Sequence, residues 1–134
     1  MQSEHEQKRN IDPDAIDVQH IAVLAEAMES SKVFLDPEIT LEQLAERVGL
    51  PPRQVSNIIN RHFKKNFYEY VNYYRVEQAK FLLAQTQNPI SMLDVMADAG
   101  FNSKSAFNRY FKKFVSMTPT EFRDSALIKI NHQS

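Results

Sequence analysis

Apolar residues recur at helical spacing in several separate stretches of the chain. Leu41, Leu44, Ala45 and Val48 form one stripe, and Val55, Ile58, Ile59 and Phe63 form another just beyond it. Phe107, Tyr110, Phe111 and Phe114 form a third. Intervals of three and four residues place such positions on one face of an α-helix. No paired runs of alternating polar and apolar residues occur, and no hairpin turn signals separate any. The pattern predicts an all-α fold.

The helix boundaries are marked by residues that can cap. Thr40 with Gln43 three residues later fits a capping box, and Gly49 closes the helix it opens. Pro51 and Pro52 suit a turn and the first turn of a following helix, where a missing N–H costs little. Asn66 with Glu69 opens "FYEYVNYYRVEQAKFLLAQT", which has no Gly or Pro. It reads as one helix of about 20 residues, roughly 30 Å long. Asn88-Pro89 stops it. Ser91 starts "SMLDVMADA", ended by Gly100, and Ser103 caps "SKSAFNRYFKKF". Thr118-Pro119-Thr120-Glu121 opens a last helix, expected to run to about Ile128.

Upstream, Asp14 to about Val33 carries a helical pattern in which Ile16, His20, Val23, Leu24, Ala27 and Met28 share a side, until "FLDPEI" breaks it. The expected organisation is an arm or linker remnant (1–13), a leading helix and connection (14–38), a first helix-turn-helix (39–65), a linker helix (66–87), a second helix-turn-helix with its closing helix (88–128) and a tail (129–134).

The two halves repeat. Gly49 and Gly100 are the only glycines, and each stands between a short helix and a longer one. A Gly in a short turn between helices marks a helix-turn-helix. Opposite its apolar stripe the first longer helix carries Arg53, Ser56, Asn57, Asn60 and Arg61. The second carries Ser105, Asn108, Arg109, Lys112 and Lys113 in the same phase, 52 positions on. The glycines are displaced by 51, so the second turn is one residue longer. Neither outer stripe contains an acid. One such stripe alone reads as a solvated surface; two, each after a Gly turn, point to DNA.

Composition changes the picture little. The chain has 134 residues, 43% hydrophobic and 25% charged, and no cysteine, which excludes a disulfide framework and thiolate metal sites. Its apolar runs are too short to span a membrane, and its first 20 residues lack the apolar core of a signal peptide, so a soluble, intracellular chain is expected. Charge matters more. The net value of −1 conceals −7 over residues 1–48 and +6 over residues 49–134. Such asymmetry hints at nucleic-acid contact. The acidic front also supports a competing reading, a helical protein-interaction module.

Catalytic signals are absent. His5, His20, His62 and His132 lack metal-ligand spacing, and there is no Gly-rich phosphate loop. No enzyme activity, cofactor, metal or small-molecule site is expected.

The outer stripes suit double-stranded DNA. The fork of Arg109 can bond both acceptors of a guanine edge, and Asn57 and Asn108 can pair with adenine likewise. Arg61, Lys64, Lys65, Lys112 and Lys113 suit phosphates, which hold register without carrying sequence information. N–H groups after Ser103 and Thr118 could cradle phosphates too. A helix of roughly 30 Å between two reading heads matches the scale of successive major grooves, about 34 Å apart. Plainer roles compete: Arg53 capping the turn, Asn60 merely solvated, and Arg75 paired with an acid such as Asp94 or Asp98. Phe107, Phe111, Phe114 and Phe122 belong to the core. Tyr68, Tyr73 and Tyr74 are too many for one face, so some must be exposed.

The residues resemble the DNA-binding domain of the AraC/XylS family of transcription regulators. "TLEQLAERVGLPPRQVSNIINRHF" is similar to that family's first helix-turn-helix, and "YYRVEQAKFLL" to its linker helix. "DVMADAGFNSKSAFNRYFKKFVSMTPTEFR" is similar to its most diagnostic stretch. The resemblance spans about residues 39–124. It implies seven helices, two of them recognition helices, on a site of about 20 base pairs, two duplex turns. Its base-contacting positions fall on Arg53, Ser56, Asn57, Ser105, Asn108 and Arg109, with Lys104 beside them. It implies RNA polymerase and an N-terminal sensor domain, membrane-embedded in one similar subgroup, as partners. Where the family has Gly after each recognition helix, this chain has Lys64 and Ser116, so those ends are expected to close differently. Asn57 is shorter than the family's usual residue and should reach fewer bases.

Overall fold

Nearly every helix begins at a side chain that takes up the free N–H groups of its first turn. The computed structural model of the chain describes residues 17–85 and 87–133, with side chains through Lys129. The expected arm 1–13, with Asp14 and Ile16, lies outside the described residues. Helix α1 (Val18–Glu29) starts at Asp17, whose carboxylate accepts from the Gln19 N–H at 2.8 Å. A single 3-10 turn, Val33–Leu35, follows. The capping box of Thr40 and Gln43, at 3.1 and 3.0 Å, opens α2 (Leu41–Val48). Helix α3 (Pro52–Arg61) has proline at its first position. Asn66 and Glu69 form a second box, at 2.8 and 3.2 Å, at the head of α4 (Phe67–Leu83). Ser91 caps α5 (Met92–Asp98) and Ser103 caps α6 (Lys104–Val115). Thr118 and Glu121 close a third box before α7 (Pro119–Gln133). Among the described residues there are seven α-helices and no strand.

Three boundaries differ from expectation. Helix α1 ends at Glu29, four residues before Val33, which belongs to the 3-10 turn. Helix α4 has 17 residues, about 25 Å rather than 30 Å. It tightens early, Gln85 donating to the Leu82 carbonyl at 3.2 Å in a 3-10 pattern ahead of Pro89. Helix α7 runs on through Gln133, past Ile128, because nothing in "IKINHQ" breaks it.

The apolar stripes close two cores. The first joins Leu24, Ala27 and Met28 of α1 and Val33 and Phe34 to Leu44, Ala45, Val55, Ile58, Ile59, Tyr70 and Val71. The second joins Val76, Ala79 and Leu83 to Val95, Ala99, Phe101, Phe107 and Phe111. Helix α4 therefore feeds one core from its first half and the other from its second. Each large side chain so buried contributes about 1.5–3 kcal/mol. Helix α1 is a wall of the first unit.

The two turns use positive φ as their glycines permit. Gly49 has φ 74° and closes α2, and Gly100 has φ 97°. Lys64 and Ser116 do the same after α3 and α6, at φ 58° and 64°. Those ends close in the left-handed conformation that glycine would adopt there, contrary to the expectation of a different closure.

Candidate nucleic-acid interface

Burial of the inner stripes fixes where the outer ones point. On α3, Val55, Ile58 and Ile59 are buried, which leaves Arg53, Asn60 and Arg61 exposed and Ser56 and Asn57 half-buried. The Asn60 amide donates to the Ser56 hydroxyl at 3.4 Å, so Asn60 is more than solvated. On α6, Phe107 and Phe111 are buried, and Lys104, Ser105, Asn108, Arg109, Lys112 and Lys113 are exposed. The Arg109 guanidinium sits 4.9 Å from the centre of the Tyr110 ring, a contact that orients the fork while the residue stays exposed.

Two candidates have work inside the protein. The Ser103 hydroxyl accepts the Ala106 N–H at 3.2 Å as the cap of α6. Lys113 donates to the Glu69 carboxylate of α4 at 2.7 Å. The outer face of α6 holds no acid of its own, yet one reaches it from the linker helix. Lys113 holds the Glu69 carboxyl below the usual carboxylate range, helped by the Asn66 N–H. Glu121 lies low as well, because the Thr118 backbone N–H and hydroxyl bond its ionised form. Lys65 stands 5.1 Å over the Tyr73 ring and reaches the Phe63 carbonyl at 3.4 Å.

Other side chains hold these helices in place. Gln54, on the first turn of α3, bonds His20 Nδ1 of α1 at 3.0 Å. The sequence pattern passed over Gln54 because it lies between the two stripes; the polar His20 on the apolar side of α1 was the available signal. Arg123 donates to the Ile90 carbonyl at 2.8 Å, a cation spent on a loop. Arg75 does have a structural role, with other partners than Asp94 or Asp98. It is buried and donates at 2.8 Å to each of the Phe34 carbonyl, the Asp36 carbonyl and the Asn72 side-chain oxygen. Burial lowers its pKa, and Asp36 opposes that shift. Of the tyrosines, Tyr68 and Tyr73 are exposed, Tyr74 is half-buried and Tyr70 is buried.

Among the described residues no group of three or more His, Cys, Asp or Glu could hold a metal, and no helix is long and apolar enough to cross a membrane.

Residues 44–125 match the family model described as a helix-turn-helix domain. The chain is 32% identical over 88 residues to the melibiose operon regulatory protein of Escherichia coli (strain K12), covering 66% of this chain and 28% of that protein. The chain thus spans less than a third of that relative's length. The C-terminal domain of the two-component response regulator yesN from Fusobacterium nucleatum superposes with a TM-score of 0.65 at 25% identity, covering 78% of this chain and 98% of that one. The DNA-binding domain of AdpA, a global transcriptional factor solved with a target DNA, shares the fold with a TM-score of 0.68 at 21% identity, covering 82% and 94%.

Proposed function

The chain belongs to the AraC-type helix-turn-helix domain family, and from that premise we propose that it is the sequence-specific, double-stranded DNA-binding part of a transcription regulator. Helices α3 and α6 enter successive major grooves. Arg53, Ser56 and Asn57 of the first, and Ser105, Asn108 and Arg109 of the second, read base edges, with Lys104 beside them. Asn60, Arg61, Lys112, Lys113 and the N-terminus of α6 at Ser103 meet phosphates. The observation that carries this reading is the matched pair of helices, each pinned by a buried apolar stripe and exposing polar, cation-bearing residues after a left-handed glycine.

Distances support it. Helix α4 is about 25 Å long, the same order as the roughly 34 Å between successive major grooves on one face of the duplex. The domain is a binding module without catalytic chemistry. Its partners beyond DNA are RNA polymerase and a sensor domain of the longer regulator, which works in the cytoplasm or tethered to a membrane.

Gel shifts on a library of genomic fragments, with competitor DNA, test the reading. A subset of fragments should be retained at competitor levels that strip the rest, and Arg109→Ala should erase that preference. Flat affinity across sequences, unaltered by Arg109→Ala, would refute it. An independent acidic interaction module is less well supported, because Leu24 and Met28 of α1 are buried in the first core and His20 is bonded to α3.

A further inference from the structure

Arg75 stands where the two helix-turn-helix units and the linker helix meet. Its Nε donates to the Phe34 carbonyl and its Nη2 to the Asp36 carbonyl, both at 2.8 Å and both in the connection that belongs to the first unit. Its Nη1 donates to Asn72 of α4, one turn back on its own helix. Its guanidinium lies 5.9 Å from the centre of the Phe101 ring, in the second unit. Gly100, in the turn of that second unit, presses on the same spot. A Cβ there would stand 2.5 Å from the Phe34 carbonyl oxygen, 3.0 Å from the Leu35 Cα and 3.2 Å from Arg75 Nε. The turn of one reading unit thus rests directly on the backbone of the other, with a buried cation bonded into the seam.

A second contact joins the same bodies near the head of α4. Lys113 and Phe114 of α6 meet Glu69 and Tyr73, the carboxylate at 2.7 Å and the ring edge-on at 5.6 Å. One joint alone would leave α6 free to pivot. Two joints, one near each end of the α4 segment 69–75, fix its angle to the linker. Helix α3 is held to that linker by Phe63 against Tyr70, 4.8 Å between ring centres.

We infer that Arg75, seated against Gly100 and Phe34, is a positioning residue that sets the spacing between half-sites the chain can read. This rests on the DNA-binding function proposed above. Two reading heads on a rigid frame gain from each other only when both grooves lie at the distance the frame dictates. The gain from linking two binding units can reach about 10²–10⁴-fold and is lost when geometry forbids joint engagement. Loosening the seam should therefore spare each head and remove the advantage of having two.

The experiment uses the full chain and a selected operator. Binding is measured to the intact site, to each half-site with the other scrambled, and to sites lengthened or shortened by one base pair. Arg75→Met keeps most of the apolar stem and removes every donor; Gly100→Ala pushes on the seam from the opposite side. Both should hold half-site affinity within about twofold of the parent and lose at least about tenfold on the intact site. The penalty for altered spacing should shrink as well. The absence of cysteine allows spin labels at Glu46→Cys and Thr120→Cys, whose distance distribution should be narrow in the parent and broad in both variants. Arg75→Lys, which keeps the charge but not the fork, replaces Arg75→Met if that variant does not fold. Equal losses on intact and half-sites, or a distribution as narrow as the parent's, would overturn the inference. A parent that prefers no sequence would instead remove the functional reading beneath it.

Discussion

The Lys113 ammonium of α6 donates to the Glu69 carboxylate of α4 at 2.7 Å. Glu69 is also the third residue of the capping box that opens α4. One carboxylate therefore starts the linker helix and holds a cation that DNA phosphate would compete for.

Glu69→Gln separates these two duties. Glutamine serves in a capping box as glutamate does, as Gln43 shows at the head of α2. The charge pair disappears and the helix start survives. The variant should bind DNA more tightly and show a steeper salt dependence, by about 0.9 in the log–log slope if Lys113 gains one phosphate. Because Glu69 titrates low in the folded state, its contribution is present above the unfolded carboxylate pKa and is lost as pH falls through the folded value. It should not vary from about pH 5 upward. Salt titrations of both proteins check the first point, and an unchanged slope would show that Lys113 gains no phosphate when its carboxylate partner is removed.

Arg109 and Lys112 lie three residues apart on α6 and should behave differently. Arg109→Ala should cost about 1–3 kcal/mol against the preferred base and relax specificity at one position. Lys112→Ala should weaken all sequences alike and flatten the salt slope by about 0.9. Selection from a randomised operator measures both. The assignment of roles fails if Lys112→Ala changes the preferred base while Arg109→Ala does not.

Ser116 holds φ 64° at the end of α6. An L side chain in the left-handed region carries a cost of roughly 1–2 kcal/mol, partly offset by the entropy glycine loses on folding. Ser116→Gly should stabilise the chain by up to about 1 kcal/mol. Urea unfolding reads this directly, and a lower midpoint would mean the serine hydroxyl matters more than its backbone.

Tyr70 is buried, and among the described residues its hydroxyl has no partner in full hydrogen-bonding geometry, although the Tyr74 hydroxyl lies beside it. Burial, with Tyr74 and Glu29 nearby, pushes the phenol well above its ordinary range. An unsatisfied buried polar group costs about 1–3 kcal/mol, so Tyr70→Phe should leave stability equal or higher. A clear loss in a urea titration would show that the hydroxyl has a partner in solution.

Features set by neighbouring residues were legible in the sequence. Thr40 with Gln43, Asn66 with Glu69 and Thr118 with Glu121 each mark a helix start by local hydrogen bonding, and all three boxes form. The apolar stripes became the two cores for the same reason. Features that depend on distant chain were not legible. Arg75 finds its acceptors 41 and 39 residues away, on backbone carbonyls that carry no side-chain signature. Lys113 meets Glu69 across 44 residues. The backbone at Lys64 and Ser116 is dictated by how the following segment must turn, against the preference of either residue. Helix α1 is legible as a leading helix, but nothing local shows that Leu24 and Met28 complete another unit's core. That placement also limits truncation: removal through Lys32 would strip the first core of Leu24, Ala27 and Met28.

The central claim is that one chain reads two successive major grooves with α3 and α6. Methylation protection of guanine N7 on a selected operator tests it most directly, because that atom faces the major groove. The account predicts two protected patches on one face of the duplex, centred about 10–10.5 base pairs apart. The patch assigned to α6 should vanish in Arg109→Ala, and the other should remain. A single patch, or two on opposite faces, would contradict it.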